Sequence, residues 1–159
     1  RDTPAQVGVT TFDAGDRVVL ERITGETLDG KPLTVPTGSG GITIVNAWAS
    51  WCDPCREEMP ILAEIASQYP PDQVMVIGLN VQDEPAQAQQ FLADVGADFP
   101  SIADPDGSLL ATIPGVPPKA VPSTVILDAN GAVAVRIIGP LERSVVMEQI
   151  RSLLAEDTA

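Results

Sequence analysis

The amino-acid sequence predicts an α/β domain with a central mixed β-sheet flanked by helices and an N-terminal β-hairpin extension. Three observations carry that expectation. Between residues 42 and 96, compact apolar runs of strand type alternate with helical patterns, which implies parallel strands joined by covering helices. Further on, two apolar runs flank the turn Asp128-Ala129-Asn130-Gly131, an antiparallel hairpin that makes the sheet mixed. Finally, 44% of the 159 residues are hydrophobic, enough for one domain with a continuous core.

Taken in order, residues 1–16 are polar and contain Gly and Pro, an irregular lead-in to a domain spanning 17–155. "RVVLERITGETLDGKPLTV" alternates loosely, with a turn at 29–31 between two short strands. "TGSGG" (37–41) is a connection rather than a phosphate loop, because it lacks the Gly-Lys-Ser/Thr end and precedes a strand. "GITIVNAWA" is a central strand. "DPCREEMPILAEIASQYP" is a helix with Leu62, Ile65, Ala66 and Tyr69 on one face and Glu57, Glu64 and Gln68 toward water. Pro54 suits its first turn, and Pro60 is expected to kink it. "QVMVIGLNV" is the next strand and "EPAQAQQFLADVG" the next helix, closed by Gly96. After a turn at 104–107 and the hairpin, "LERSVVMEQIRSLLAE" forms a final amphipathic helix. The order is β-α-β-α, a short connecting piece, then β-β-α.

Charge removes several functions. Nine Lys and Arg stand against 22 Asp and Glu, a formal net charge of −13, with no histidine. Such a field repels nucleic-acid backbones, and no basic stripe offsets it. The missing histidine excludes Ser-His-Asp and Cys-His catalysis, so any general acid or base is a carboxylate, lysine, tyrosine, thiol or water. No apolar run reaches the ~20 residues that cross a bilayer. The chain opens with Arg1 rather than methionine, which fits a processed protein that has lost a signal peptide or anchor.

Both cysteines lie in "NAWASWCDPCREEMP", as Cys52 and Cys55. A structural zinc or iron–sulfur site normally needs four ligands, and only carboxylates could complete this pair. An inert staple is the rival reading, although a loop this short constrains the unfolded chain little. The position favours a redox-active dithiol. A buried strand ends near Ala49 and a helix starts at or after Cys52, where unpaired N–H groups and the helix dipole favour a thiolate. Cys52, expected at the exposed tip, is then the attacking sulfur, and Cys55, one turn on, resolves the mixed disulfide. Trp51 offers a flat apolar surface beside the nucleophile or packs in the core; Trp48 reads as core. Asp53 and Pro54 between the cysteines tune the couple. Glu58, one turn beyond Cys55, is the candidate proton carrier, its alternative being a charge that stabilises the helix start.

The string Trp51-Cys52-Asp53-Pro54-Cys55 after an apolar strand resembles the active site of the thioredoxin superfamily, and "VNAWASWCDPCREEMP" resembles its extracytoplasmic TlpA/ResA/CcmG-like branch. The resemblance covers roughly residues 17–155 and implies a thioredoxin-like fold. It places Asn46 close to the dithiol, where cytoplasmic thioredoxins hold an aspartate. Asn46 cannot carry a proton, and Glu58 stands where ResA-like members hold a functional glutamate. Met59-Pro60 matches the helix proline. "AVPSTVILD" supplies the superfamily's cis-proline as Pro122, with the Val121 backbone free to pair with an incoming peptide; Pro114, Pro117 and Pro118 are lesser candidates. The loop before it carries an extra "PPKA", in which Lys119 contacts a partner or faces water.

What the family implies is a monomeric thiol–disulfide oxidoreductase outside the cytoplasm, membrane-anchored through a segment absent from this chain or secreted, with no cofactor and no metal. Its expected partners are an oxidised protein substrate, with apocytochrome c and metallochaperones as the family examples, and a membrane electron donor of the DsbD/CcdA kind. The wealth of Ala, Val, Gly, Pro and Asp suggests a bacterial source. Competing accounts are a disulfide-forming oxidase and a redox-sensing or inert thioredoxin-like binding module. Against the oxidase, only about 40 residues separate Val81 from Pro122, too few for the helical insertion usual in DsbA-like proteins. A peroxidase would need a Pro-x-x-x-Thr-x-x-Cys string that is missing.

Overall fold

A computed structural model describes residues 8–38, 40–117 and 119–157. Its main sheet has six strands: β1 (Gly8–Thr11), β4 (Ile42–Trp48), β5 (Val74–Val81), β6 (Ser101–Asp104), β7 (Ser123–Leu127) and β8 (Val133–Ile138). Their spatial order is β1-β8-β7-β4-β5-β6. β4, β5 and β6 are parallel, while β7, β8 and β1 run antiparallel to their neighbours. The mixed sheet is thus as the sequence predicts, and the fold is thioredoxin-like. The short piece between the second helix and the hairpin contributes the parallel strand β6. Its pattern, Ser-Ile-Ala-Asp, is too brief to read as a strand alone, and pairing with β5 makes it one.

The lead-in differs from expectation. Within the stretch read as irregular, Gly8–Thr11 pairs with β8 as an edge strand, Gly8 opposite Ile138 and Thr11 opposite Val135. Four residues of mixed polarity carry no clear period, so their state is decided by the open edge they cover. The hairpin extension forms a separate two-stranded sheet, β2 (Thr24–Glu26) and β3 (Pro32–Thr34).

Three long helices follow the chain: α1 (Asp53–Gln68), α2 (Pro85–Val95) and α3 (Arg143–Asp157). From β4 to β5 to β6 the chain steps twice in one direction, and right-handed crossovers then put α1 and α2 on the same face. α3 joins them. The core residues of all three, among them Met59, Phe91 and Ile150, share one apolar cluster with Ile42, Ile44 and Trp48 of β4. Alternate residues Val45 and Ala47 point to the opposite face, where Leu20, Ile23, Val35 and Leu110 cover them. The helices therefore cover one side of the sheet, and the N-terminal segment with the 102–121 region closes the other. Gly96, in the left-handed region at φ +70, caps α2, where its N–H reaches the carbonyls of Ala93 and Leu92. α1 runs continuously through Pro60, which lies on the exposed side between buried Met59 and Leu62; there a missing N–H costs least.

Candidate active site

The strand–helix junction places the cysteines. β4 ends at Trp48, residues 49–52 turn, and Cys52 becomes the N-cap of α1 with extended backbone, φ −102 and ψ 106. Its Sγ accepts the Cys55 N–H at 3.3 Å, so the sulfur itself serves as the cap acceptor that serine or aspartate usually provides. Cys52 and Cys55 form a disulfide with Cα atoms 5.3 Å apart. The expected exposed tip needs correction: Cys52 is 5% exposed and Cys55 fully buried. Both belong to the helix-side core, against which Val121 also packs, so apolar neighbours close around the pair. The opening that exists is at Cys52. Asp53 and Pro54, between them, are exposed.

Below the disulfide lies a buried polar group. Asn46 shares the face of Ile44 and Trp48 on β4 and points to α1. Its Nδ2 donates to Glu58 Oε1 at 2.7 Å and, across the strand pair, to Thr124 Oγ1 at 3.0 Å. Glu58 is 1% exposed; its other oxygen, Oε2, accepts the Leu141 N–H at 2.9 Å. Burial pushes the Glu58 carboxyl up to about 7, against the opposing pull of the Leu141 and Asn46 hydrogen bonds. A carboxyl that titrates near neutrality can take up or release a proton there. Glu57, by contrast, is exposed. Asn46 Oδ1 is buried with no hydrogen-bond partner among the described residues.

The opposite wall comes from the chain before β7. The Val121–Pro122 peptide is cis, and the pairing of Ser123 with Ala47 sets it beside the end of β4. Pro122 carbonyl accepts the Gly139 N–H at 3.0 Å. Lys119 is exposed with φ +64 in the loop before it; Pro118 lies outside the described residues. The two tryptophans divide as their positions suggest. Trp48 is fully buried, stacks on Phe91 at 5.2 Å between centroids and donates from Nε1 to Ser101 Oγ at 3.0 Å. Trp51 is 56% exposed and donates from Nε1 to the Gln82 carbonyl at 3.0 Å.

Four positions at the site escape a reading of the sequence. Leu141 contributes a backbone N–H, which no side-chain motif can signal. Ser50 meets Asp83 across 33 residues of chain, its N–H donating to Asp83 Oδ2 at 2.7 Å, and Gln82 beside Asp83 accepts the Trp51 indole N–H. The polar run Gln82-Asp83-Glu84 between a strand and a helix is the one local signal of a loop there.

The Redoxin family profile matches residues 13–151. The chain belongs to the Redoxin family. Within the thioredoxin superfamily its relatives are of the ResA/CcmG-like kind. It is 39% identical over 116 residues to "Thiol:disulfide interchange protein HelX" of Rhodobacter capsulatus, covering 73% of this chain and 62% of that one. To "Thiol-disulfide oxidoreductase ResA" of Bacillus thuringiensis it is 30% identical over 112 residues, 70% of this chain and 63% of that one. The chain thus spans somewhat less than two thirds of these curated relatives. Among solved structures, a DsbF homologue from Corynebacterium diphtheriae superposes with a TM-score of 0.88 at 32% identity, covering 96% of this Redoxin chain and 98% of its own. A secreted thiol-disulfide isomerase from Corynebacterium glutamicum gives 0.86 at 28%, with 98% and 96% covered.

Proposed function

We propose that this Redoxin-family chain is an extracytoplasmic thiol–disulfide oxidoreductase that reduces protein disulfides through Cys52 and Cys55. The observation that carries the reading is the Cys52–Cys55 disulfide at the start of α1, underlain by the buried carboxyl of Glu58. In the reduced protein the Cys52 thiolate, favoured by the helix N-terminus, attacks one sulfur of a substrate disulfide, and the other substrate sulfur leaves as thiolate. Cys55 gives its proton to Glu58 and attacks Cys52 Sγ, releasing the second substrate thiolate. Two electrons pass to the substrate and the protein is left as the disulfide. Glu58 returns its proton to the departing sulfur or to water. Asn46 and the Leu141 N–H hold the carboxyl in place, Asp53 and Pro54 tune the couple, and Val121, beside cis-Pro122, offers its backbone to the substrate chain next to Trp51.

The relatives named for thiol:disulfide interchange and thiol-disulfide oxidoreduction support this chemistry, and the resemblance to the TlpA/ResA/CcmG-like branch adds a place in cytochrome c maturation to the proposal. Its substrates are then oxidised proteins such as apocytochrome c or a metallochaperone, and its electrons come from a membrane donor of the DsbD/CcdA type. Membrane attachment through a further segment and action as a monomer belong to the same reading. Among the described residues no helix is long and apolar enough to cross a membrane.

The decisive measurement is the equilibrium of the Cys52–Cys55 couple against a glutathione or dithiothreitol series. The expected potential lies nearer the ~−270 mV of thioredoxin than the ~−120 mV of a strong oxidant. Cys52→Ser abolishes exchange, and Cys55→Ser accumulates the mixed disulfide. A potential near the oxidant's favours a second reading, disulfide formation or isomerisation, which the likeness to the secreted isomerase supports.

A further inference from the structure

The turn that leads into Cys52 takes most of its support from outside itself. Residues 49–52 close through one backbone bond, Cys52 N–H to Ala49 carbonyl at 3.2 Å. The remaining anchors come from the end of β5. Ser50 donates to Asp83 twice, from N–H to Oδ2 and from its hydroxyl to Oδ1, both at 2.7 Å. Asp83 Oδ2 also accepts Asn80 Nδ2 at 3.0 Å, and Oδ1 the Glu84 N–H at 2.9 Å. Beside it Gln82 holds a left-handed backbone, φ +50, donates its N–H to the Asp104 carbonyl and receives the Trp51 indole. Two neighbouring residues of one loop thus grip the two residues ahead of Cys52.

The grip needs a carboxylate. Each oxygen of Asp83 faces a backbone N–H, that of Ser50 on Oδ2 and that of Glu84 on Oδ1, and a backbone N–H never accepts. An asparagine would set its own NH2 against one of them in either orientation. Burial alone would raise the Asp83 carboxyl, but the bonds from Asn80, Ser50 and Glu84 outweigh it and hold it below the ordinary range. Meanwhile Trp51, more than half exposed, has no core to orient it. A ring fixed by this loop meets a partner with little further loss of freedom.

We propose that Asp83 is a positioning residue for exchange with polypeptides: its carboxylate fixes the Ser50–Trp51 turn so that the indole stands as a preset contact surface beside Cys52. The inference rests on the exchange activity proposed above but not on its direction. The test reacts the reduced protein with bis(2-hydroxyethyl) disulfide, which is too small to use the indole, and with a short peptide whose cysteine is disulfide-linked to 2-mercaptoethanol. In each, the Cys52 thiolate bonds to one probe sulfur, mercaptoethanol leaves as thiolate, and Cys55 then releases the remaining thiol. The readout is the peptide rate divided by the small-disulfide rate. Any change in Cys52 itself, including loss of a nearby charge, acts on both and cancels.

Asp83→Asn lowers that ratio about tenfold, the worth of one ordered aromatic contact. Trp51→Ala lowers it by a similar factor, and the double variant falls no further, because both remove the same contact. An unchanged ratio in folded Asp83→Asn, or losses that multiply in the double variant, overturns the proposal. If Asp83→Asn does not fold, Ser50→Ala decides: losing only the hydroxyl bond lowers the ratio about two- to threefold, and no change overturns the proposal. A wild-type protein inert toward both probes overturns the exchange activity and this inference with it; activity with an unchanged ratio overturns the inference alone.

Discussion

Glu58 is held by two donors, and its protonation state has consequences for both. The Leu141 N–H is fixed, so Oε2 stays an acceptor in either state, and a proton on the carboxyl belongs on Oε1, toward Asn46. A half-turn of the Asn46 amide would then present Oδ1, the buried atom without a partner, to that proton. Glu58→Gln can use the same half-turn, so the variant should fold. Its resolving step should slow by about a hundredfold, the usual worth of a general base, and should lose the rise in rate as pH passes about 7. Single-turnover release of substrate thiol across pH measures both. Stability responds in a definite sense. The folded pKa lies above the unfolded value, so this contribution is fully present below ordinary carboxylate pKa values and is lost as pH rises through about 7. Glu58→Gln should therefore gain stability relative to wild type between pH 5 and pH 8 in urea unfolding. The helical spacing of Glu58 was legible in the sequence. Its burial and its bond to Leu141, 83 residues away, were not, since both arise when α1 meets the start of α3.

At the level of elements, the site depends on where β4 stops, and Trp48 marks that end. Its indole crosses β5 over Gly78, where an added Cβ would stand 2.5 Å from Trp48 Nε1 and collide with Ser101 Oγ as well. Gly78→Ala should cost roughly 1–3 kcal/mol, the range for overpacking a filled core, as read by the midpoint of urea unfolding. The strain reaches the site through Phe91, which stacks on Trp48 and lies 4.7 Å beneath the guanidinium of Arg56, next to Cys55. The strand-helix-strand pattern and the Cys52–Cys55 spacing were readable because hydrophobic period and helix caps are local. A glycine's reason in mid-strand is not local, for it concerns the side chain that crosses it.

Across the whole molecule, Arg17 ties three distant segments. Its Nε donates to the Phe12 carbonyl at 2.9 Å, and its guanidinium reaches Asp128 at 3.1 Å and Glu156 with two bonds of 2.8 Å. The N-terminal segment, the β7–β8 turn and the end of α3 are thereby joined on the side away from the dithiol. Arg17→Met should lower the melting temperature by a few degrees, from lost charge-assisted bonds, and leave exchange with small disulfides unchanged. Differential scanning calorimetry beside a small-disulfide assay checks the pair of outcomes. The Glu156 carboxyl, held low first by its hydrogen bond to Arg17, adds stability that is present above ordinary carboxylate values and fades as pH falls through its lowered one. Arg17 stood in the sequence as one more cation at the edge of an alternating stretch, and nothing adjacent marked it as a tie.

The sequence by itself determined the mixed α/β sheet, the helix with a dithiol at its start, the glutamate one turn beyond Cys55 and the proline before the last hairpin. These follow from periodicity, capping and spacing, which act over a few residues. Tertiary structure alone decided that all three helices share one face, that β1 seals an edge, that Cys52 is almost covered in the disulfide, and that Asp83 grips Ser50. Each of these joins groups far apart in the chain, and such contacts become fixed only when the sheet order brings its loops to a common end.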